Sequence, residues 1–328
     1  MIELDVLDPR RDPEPPYWRA LVADAGRHAV WSYDLLRIAA WTSRHQLRLS
    51  VVHDSGRPAA VVCAVLAGMR AVSRRYASPG MARLGVPAVL VPSASAERGW
   101  WFVGEPAPEH RRDLLRHATR GWFRPGVLWL RAGERDRPTI PGAVRLTRPL
   151  NPVARVATPW RDVDGWYAAL SQSRRADLRR QRRGLRDLEC LTGPARDLAS
   201  AAEFAALLWR NENKYRGGLL SGLAPSPPLP FPYIEALIGQ PDVQAITYRD
   251  GRDRLLGAGL ILDHPEWPLY WRWGALPVRH LYFDSYGRLI EWAIAAGKTG
   301  VILGKGKSDL KAALGAELVP SYAIAATP

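Results

Sequence analysis

Two distant stretches of this chain share one grammar, and any fold has to accommodate both. "HDSGRPAAVVCAVL" (53–66) and "YRDGRDRLLGAGLIL" (248–262) each place Asp, Gly and Arg in a turn and follow it with an apolar run containing small residues. Both read as strand, turn, strand, with Asp54-Ser55-Gly56 and Asp250-Gly251 as the turns. Hairpins this apolar need a sheet and covering helices. "PPYWRALVADAG" and "VWSYDLLRIAAWTSRH" have helical spacing before the first hairpin, and 109–123 has it after, ahead of a strand at 126–133. The second half repeats the order. "PLYWRWGAL" is a strand, 281–297 an amphipathic helix, and "GVIL" (300–303) a short buried strand. In that helix Leu289, Ile290, Trp292 and Ile294 are predicted to face the sheet, with Gly297 at its end.

A chain of 328 residues is long for one domain. The Pro-rich loop that begins "RDRPTIPG" and runs to about residue 160 marks the boundary. The expectation is α/β (α+β): two related domains, residues 1–150 and 151–328, each a mixed β-sheet flanked by helices.

Of 46 basic residues only five are lysine: Lys214, Lys298, Lys305, Lys307 and Lys311. Three of them fall in "GKGKSDLKAALG" (304–315), directly after the strand 300–303. In open α/β sheets ligands bind outside the carboxyl ends of strands. A chain that writes arginine elsewhere and lysine here points to a need for a compact ammonium, at an oxyanion or a phosphate. The stretch is not a P-loop, because the first glycine of that motif belongs at 301, which is Val301.

"SQSRRADLRRQRRGLRDL" (171–188) carries seven arginines, and Leu170, Leu178, Leu185 and Leu188 keep a helical stripe along it. Arg174, Arg175, Arg179, Arg182 and Arg183 are the candidates for donor or phosphate contact. A third cluster, "LWRNENKYRGGLL" (208–220), offers Trp209, Asn211, Lys214 and Arg216 for the acceptor, together with Tyr282 and Asp284 on the helix 281–297. Trp271 and Trp273 alternate with Arg272 and are read as core.

Net charge is +14. This favours anionic partners. Two cysteines far apart, Cys63 and Cys190, imply a reducing compartment and no disulfide framework. The opening stretch lacks a signal-peptide h-region, and the longest apolar run, 59–69, is too short to span a bilayer. A cytoplasmic protein is expected. The seven histidines show no HExxH spacing and no GxSxG is present, so neither a metal nor a covalent nucleophile is expected.

The order of these pieces resembles the FemAB-like branch of the GNAT acyltransferase superfamily. The family's Ser/Lys-Arg-rich helix start is similar to "SQSRRADLRRQRRGL". Its hairpin with small residues is similar to "LLGAGLIL", its helix ending "A...G" to "LYFDSYGRLIEWAIAAG", and its "K..fG" loop to "LGKGKSDLKAALGAEL". The match covers about residues 165–325. It implies two GNAT-like domains and transfer of an acyl or aminoacyl group to an amine. Lys311 corresponds to the lysine before the family's "fG" pair and is the implied catalytic residue, supported by Lys305 and Lys307. Ile302 stands where the family often has an acid. The R/Q-x-x-G-x-G/A loop for coenzyme A is missing from "PVRHLYFD". The resemblance then implies aminoacyl-tRNA as donor, with tRNA and a small-molecule amine as partners and no resident cofactor. Acyl-CoA is the alternative donor, and a non-catalytic RNA- or polyanion-binding protein is the alternative of another class.

Overall fold

The computed structural model describes residues 1–43, 46–68, 85–89, 98–119, 128–140, 145–214 and 229–326. In chain order the first elements are β1 (Ile2–Leu7), α1 (Trp18–Asp24), α2 (Tyr33–Thr42), β2 (Gln46–Asp54), β3 (Arg57–Gly68), β4 (Gly85–Val89), β5 (Trp100–Phe102), α3 (Pro108–Thr119), β6 (Leu128–Gly133) and β7 (Arg145–Ala157). Next come α4 (Val163–Ala169), α5 (Gln172–Arg183), β8 (Glu189–Pro194), α6 (Ala195–Leu198), α7 (Ala201–Lys214) and α8 (Phe231–Ile238). The last are β9 (Val243–Arg249), β10 (Leu255–Leu262), β11 (Leu269–Ala275), α9 (Leu281–Ala295), β12 (Gly300–Lys305), α10 (Ser308–Ala312) and β13 (Glu317–Ala326).

The chain divides into two units, one of Met1–Pro152 with Val319–Pro328, the other of Val153–Leu318. In the first, strands run β1-β2-β3-β4-β6-β13, all antiparallel except the parallel pair β4/β6, with β5 on the side of β3. In the second the order is β8-β9-β10-β11-β12-β7, again antiparallel except for one parallel pair, β11/β12. The same sequence of pairings occurs twice. The two hairpins noticed in the sequence, β2/β3 and β9/β10, occupy the same position in each unit. Both halves are thus mixed sheets flanked by helices, as the repeated grammar implied.

Residues 319–328 depart from the sequence-based division, which puts them with the second half. Ser321–Ala326 pairs with Gly133–Leu128 of β6, and Ile324 and Ala326 are buried in the first unit's core with Leu114, Leu128 and Leu130. The hairpin turns also differ. Ser55 and Gly56 both have positive φ, as a two-residue turn requires, whereas in the second hairpin the positive φ falls on Asp253 and not on Gly251. There the Asp250 side chain accepts from the backbone N–H of Arg252 and Arg254, and that fixes the turn.

In the second unit all of β10 is buried. Leu289, Ile290 and Ile294 of α9 pack into the same core, and Trp292 reaches it only partly. Lys298 lies over its ring. The helix ends with Gly297 N–H on Ile294 O and Lys298 N–H on Ala293 O, a Schellman closure. Among the described residues no helix is long and apolar enough to cross a membrane.

Candidate active site

Parallel strands β11 and β12 pair only where they begin. Leu269 stands opposite Ile302, Ile302 N–H donates to Pro268 O at 2.8 Å, and Gly300 N–H donates to Glu266 O at 3.1 Å. Beyond that point each strand is bulged. β11 slips against β10 between Gly259 and Leu260, with Arg272 as the extra residue at φ 51°. β12 slips against β7 between Ile302 and Gly304. The unpaired carboxyl ends of two adjacent parallel strands are the position where such sheets take ligands.

The bulge corrects one expectation. Trp271 and Trp273 do not share a regular face. Instead Tyr270 and Trp273 come together, ring centroids 6.5 Å apart. Tyr270 also meets Tyr286 of α9 at 5.5 Å, and Trp273 meets Tyr282 at 6.0 Å. Gly259 makes this possible, since a Cβ there would collide with the Tyr270 hydroxyl. The Trp273 carbonyl accepts from Asn211 Nδ2 at 2.9 Å, so α7 is tied to the bulge.

The lysine loop closes the other side. Gly304, Gly306 and Lys307 all have positive φ, which turns the chain back so that α10 covers the end of β12. Lys307 is exposed, Lys305 is half-buried, and Lys311 is 1% exposed. The Lys311 ammonium donates to Leu303 O at 2.7 Å and Lys305 O at 3.0 Å, and it lies 5.3 Å from the Tyr286 ring centroid. No carboxylate pairs with it among the described residues. Burial lowers its pKa to about 8. A guanidinium here would bring five N–H donors to two carbonyls and bury the remainder without acceptors. That is a physical reason for lysine in an arginine-biased chain.

Two residues assigned to different roles by sequence belong to one ion-pair network. Arg182, expected at the donor, and Asp284, expected at the acceptor, lie 3.6 Å apart. Arg182 also binds Glu291, which accepts from the Tyr167 hydroxyl at 3.2 Å. Asp284 is 1% exposed and takes a hydrogen bond from Tyr248 at 2.8 Å and an ion pair with Arg288 at 3.3 Å. The pair braces α5 against α9.

The remaining arginines of α5 divide by face. Ser171 caps the helix by accepting from Arg174 N–H, and the Arg174 side chain lies 3.9 Å from Asp177. Arg175 reaches the carbonyls of Tyr167 and Ala168. Arg179 and Arg183, one turn apart, are exposed and have no ion-pair partner among the described residues. Trp209 is partly exposed and donates to Leu229 O at 2.9 Å. Lys214 ends α7 with its side chain outside the described residues, and Arg216 lies wholly outside them. Tyr282 shares a 2.7 Å hydroxyl contact with Tyr286. Tyr270, Tyr286 and Glu291 carry no sequence motif. Only the one-turn spacing of Tyr282 and Tyr286 hinted at their partnership.

Two α/β units of this repeated topology make up a fold that the chain shares with FemX and L-PGS. Among solved structures the chain is similar to L-PGS from Bacillus licheniformis, at 12% identity and TM-score 0.57 over 96% of this chain and 92% of that one. It is similar to FemX at 9% identity and TM-score 0.56, over 93% and 95% of the two chains. It is also similar to the C-terminal domain of a putative lysylphosphatidylglycerol synthetase from Agrobacterium fabrum, at 14% identity and TM-score 0.54 over 94% and 91%. At these identities the likeness is one of fold. No protein-family model and no curated protein matches the sequence.

Proposed function

We propose that this protein is an acyltransferase that moves an aminoacyl group from aminoacyl-tRNA to an amine by direct attack, at the diverging carboxyl ends of β11 and β12. The observation that carries the reading is the Lys311 ammonium, buried beside that divergence with no carboxylate among the described residues to neutralise it. FemX and the lysylphosphatidylglycerol synthetase, whose name denotes an aminoacyl-lipid product, support the class through their shared fold.

In the reaction the amine nitrogen bonds to the ester carbonyl carbon and the carbonyl becomes an oxyanion. As that intermediate collapses, the bond to the tRNA 3′-oxygen breaks, and the proton lost by the amine ends on that oxygen. Lys311 is buried with two of its three N–H groups given to carbonyls, so it acts on the oxyanion through its field in a site of low dielectric. Lys307, exposed on the loop at the strand end, supplies a cation that can approach the substrate, and Lys305 adds to the positive charge there. The exposed Arg179 and Arg183 suit a polyanionic donor. The 276–280 turn has no paired glycines to cradle a coenzyme A pyrophosphate.

The test is transfer from charged tRNA to a panel of amines, with and without RNase, beside acyl-CoA. RNase-sensitive amide formation is expected. Turnover with acyl-CoA that RNase leaves untouched replaces the donor. Salt-sensitive RNA binding without transfer to any amine removes the enzymatic reading.

A further inference from the structure

Among the described residues Lys311 has two backbone acceptors and one aromatic face, and only the face can be altered without moving the main chain. We infer that Tyr286 is a positioning residue for Lys311: its ring is the third contact of the buried ammonium and holds it charged at the end of β12. The role assigned to Lys311 in the reaction rests on the acyltransfer reading above, but the contact itself does not.

The geometry supports this in three ways. The ammonium lies 5.3 Å from the ring centroid, inside the range of a cation–π contact. The ring cannot easily turn away, because it is buried, packed at 5.5 Å on Tyr270 and tethered at its hydroxyl to Tyr282. The other charged groups on the elements around it are not ion-paired with it. On α9, Asp284, Arg288 and Glu291 are drawn into the network with Arg182 of α5, Tyr248 of β9 and Tyr167 of α4. On α10 Asp309 is exposed, and on the loop Lys305 and Lys307 are cations that cannot stabilise a third. Tyr270 of β11 is a buried phenol whose ionisation burial pushes upward, so it stays neutral. Among the described residues, ring electrons and two carbonyl dipoles are therefore what the ammonium has in place of a counter-ion.

With five lysines in the chain, side-chain NMR with ε-¹³C-lysine can follow Lys311 directly, its signal assigned by its loss in Lys311→Met. Tyr286→Phe keeps the ring and should leave the Lys311 midpoint in place. Phenylalanines carrying one, two and three fluorines at position 286 keep the shape and withdraw electrons from the face. They should lower the midpoint stepwise, by about one unit at the end of the series. Tyr286→Leu should lower it at least as far. A midpoint that stays put across the fluorinated series overturns the inference, even if Tyr286→Leu proves too unstable to titrate. The measurement uses neither donor nor acceptor. An absent transferase activity and an absent cation–π contact are therefore read separately.

Discussion

The two units repeat one order of strands, yet they part company just beyond the second strand of the parallel pair. After β6, the turn Glu134–Thr139 buries Asp136, whose carboxylate is ion-paired with Arg98 and lies 3.9 Å from Arg111. After β12, α10 buries Lys311, which has carbonyls and a ring but no opposite charge among the described residues. Both units bury one charge at the equivalent place. The first neutralises it locally and the second leaves a field. A buried unpaired charge is costly. A fold that retains one where its sister neutralises one has the arrangement expected of a site.

The strongest challenge to this contrast is Lys311 itself. Lys311→Ala should lower transfer by on the order of 10²–10³, and Lys311→Arg should fail too, since the pocket takes an ammonium and not a fork. Near-normal turnover in single-turnover assays of Lys311→Ala would dissolve the contrast. Asp136→Asn should leave transfer unchanged and lower stability by about 1–2 kcal/mol in urea melts, because it strips a partner from a pair that is partly exposed.

Next is Gly274→Ala. A Cβ there would meet the Leu207 backbone at 2.5 Å, so α7 must back away from β11, and a loss of about 3 kcal/mol is expected from thermal melts. Unchanged melting would mean that α7 does not press on the bulge.

A pH series sharpens the comparison because activity and stability should move in opposite directions. Lys311 has its pKa lowered to about 8 by burial, from an ordinary 10.5. Activity that needs the ammonium falls as pH rises through about 8. Over the window between those two values the unfolded chain holds a proton that the folded chain has released, so this group's contribution to stability rises with pH. Lys311→Met should abolish both trends. A wild-type alkaline limb that persists unchanged in Tyr286→Leu argues that another group sets it.

The smallest effect belongs to α5. Arg179→Ala and Arg183→Ala should each reduce the salt dependence of tRNA binding by about one unit of slope, while Arg175→Ala, whose guanidinium serves backbone carbonyls, should not. Equal slopes for all three would make the exposed face an ordinary solvated one.

Local pattern carried much of this protein. Apolar periodicity is set by neighbours in sequence, so the paired hairpins, α9 with its Gly297 end and the strand before the lysines were all legible, and the arginine bias marked out Lys305, Lys307 and Lys311 together. Contacts between residues far apart in sequence were not. A one-residue bulge at Arg272 exchanged Trp271 for Tyr270 beside Trp273. Arg182 and Asp284, distant in sequence and read as parts of two binding sites, close on each other. Residues 319–326 look like any strand and find their partner in β6. Lys311 shows the division most plainly: its identity as lysine could be read from the sequence, whereas its burial, its two carbonyl acceptors and the ring of Tyr286 arose only when α9, α10 and β12 packed together. Side-chain environment is a property of that packing, and no local pattern encodes it.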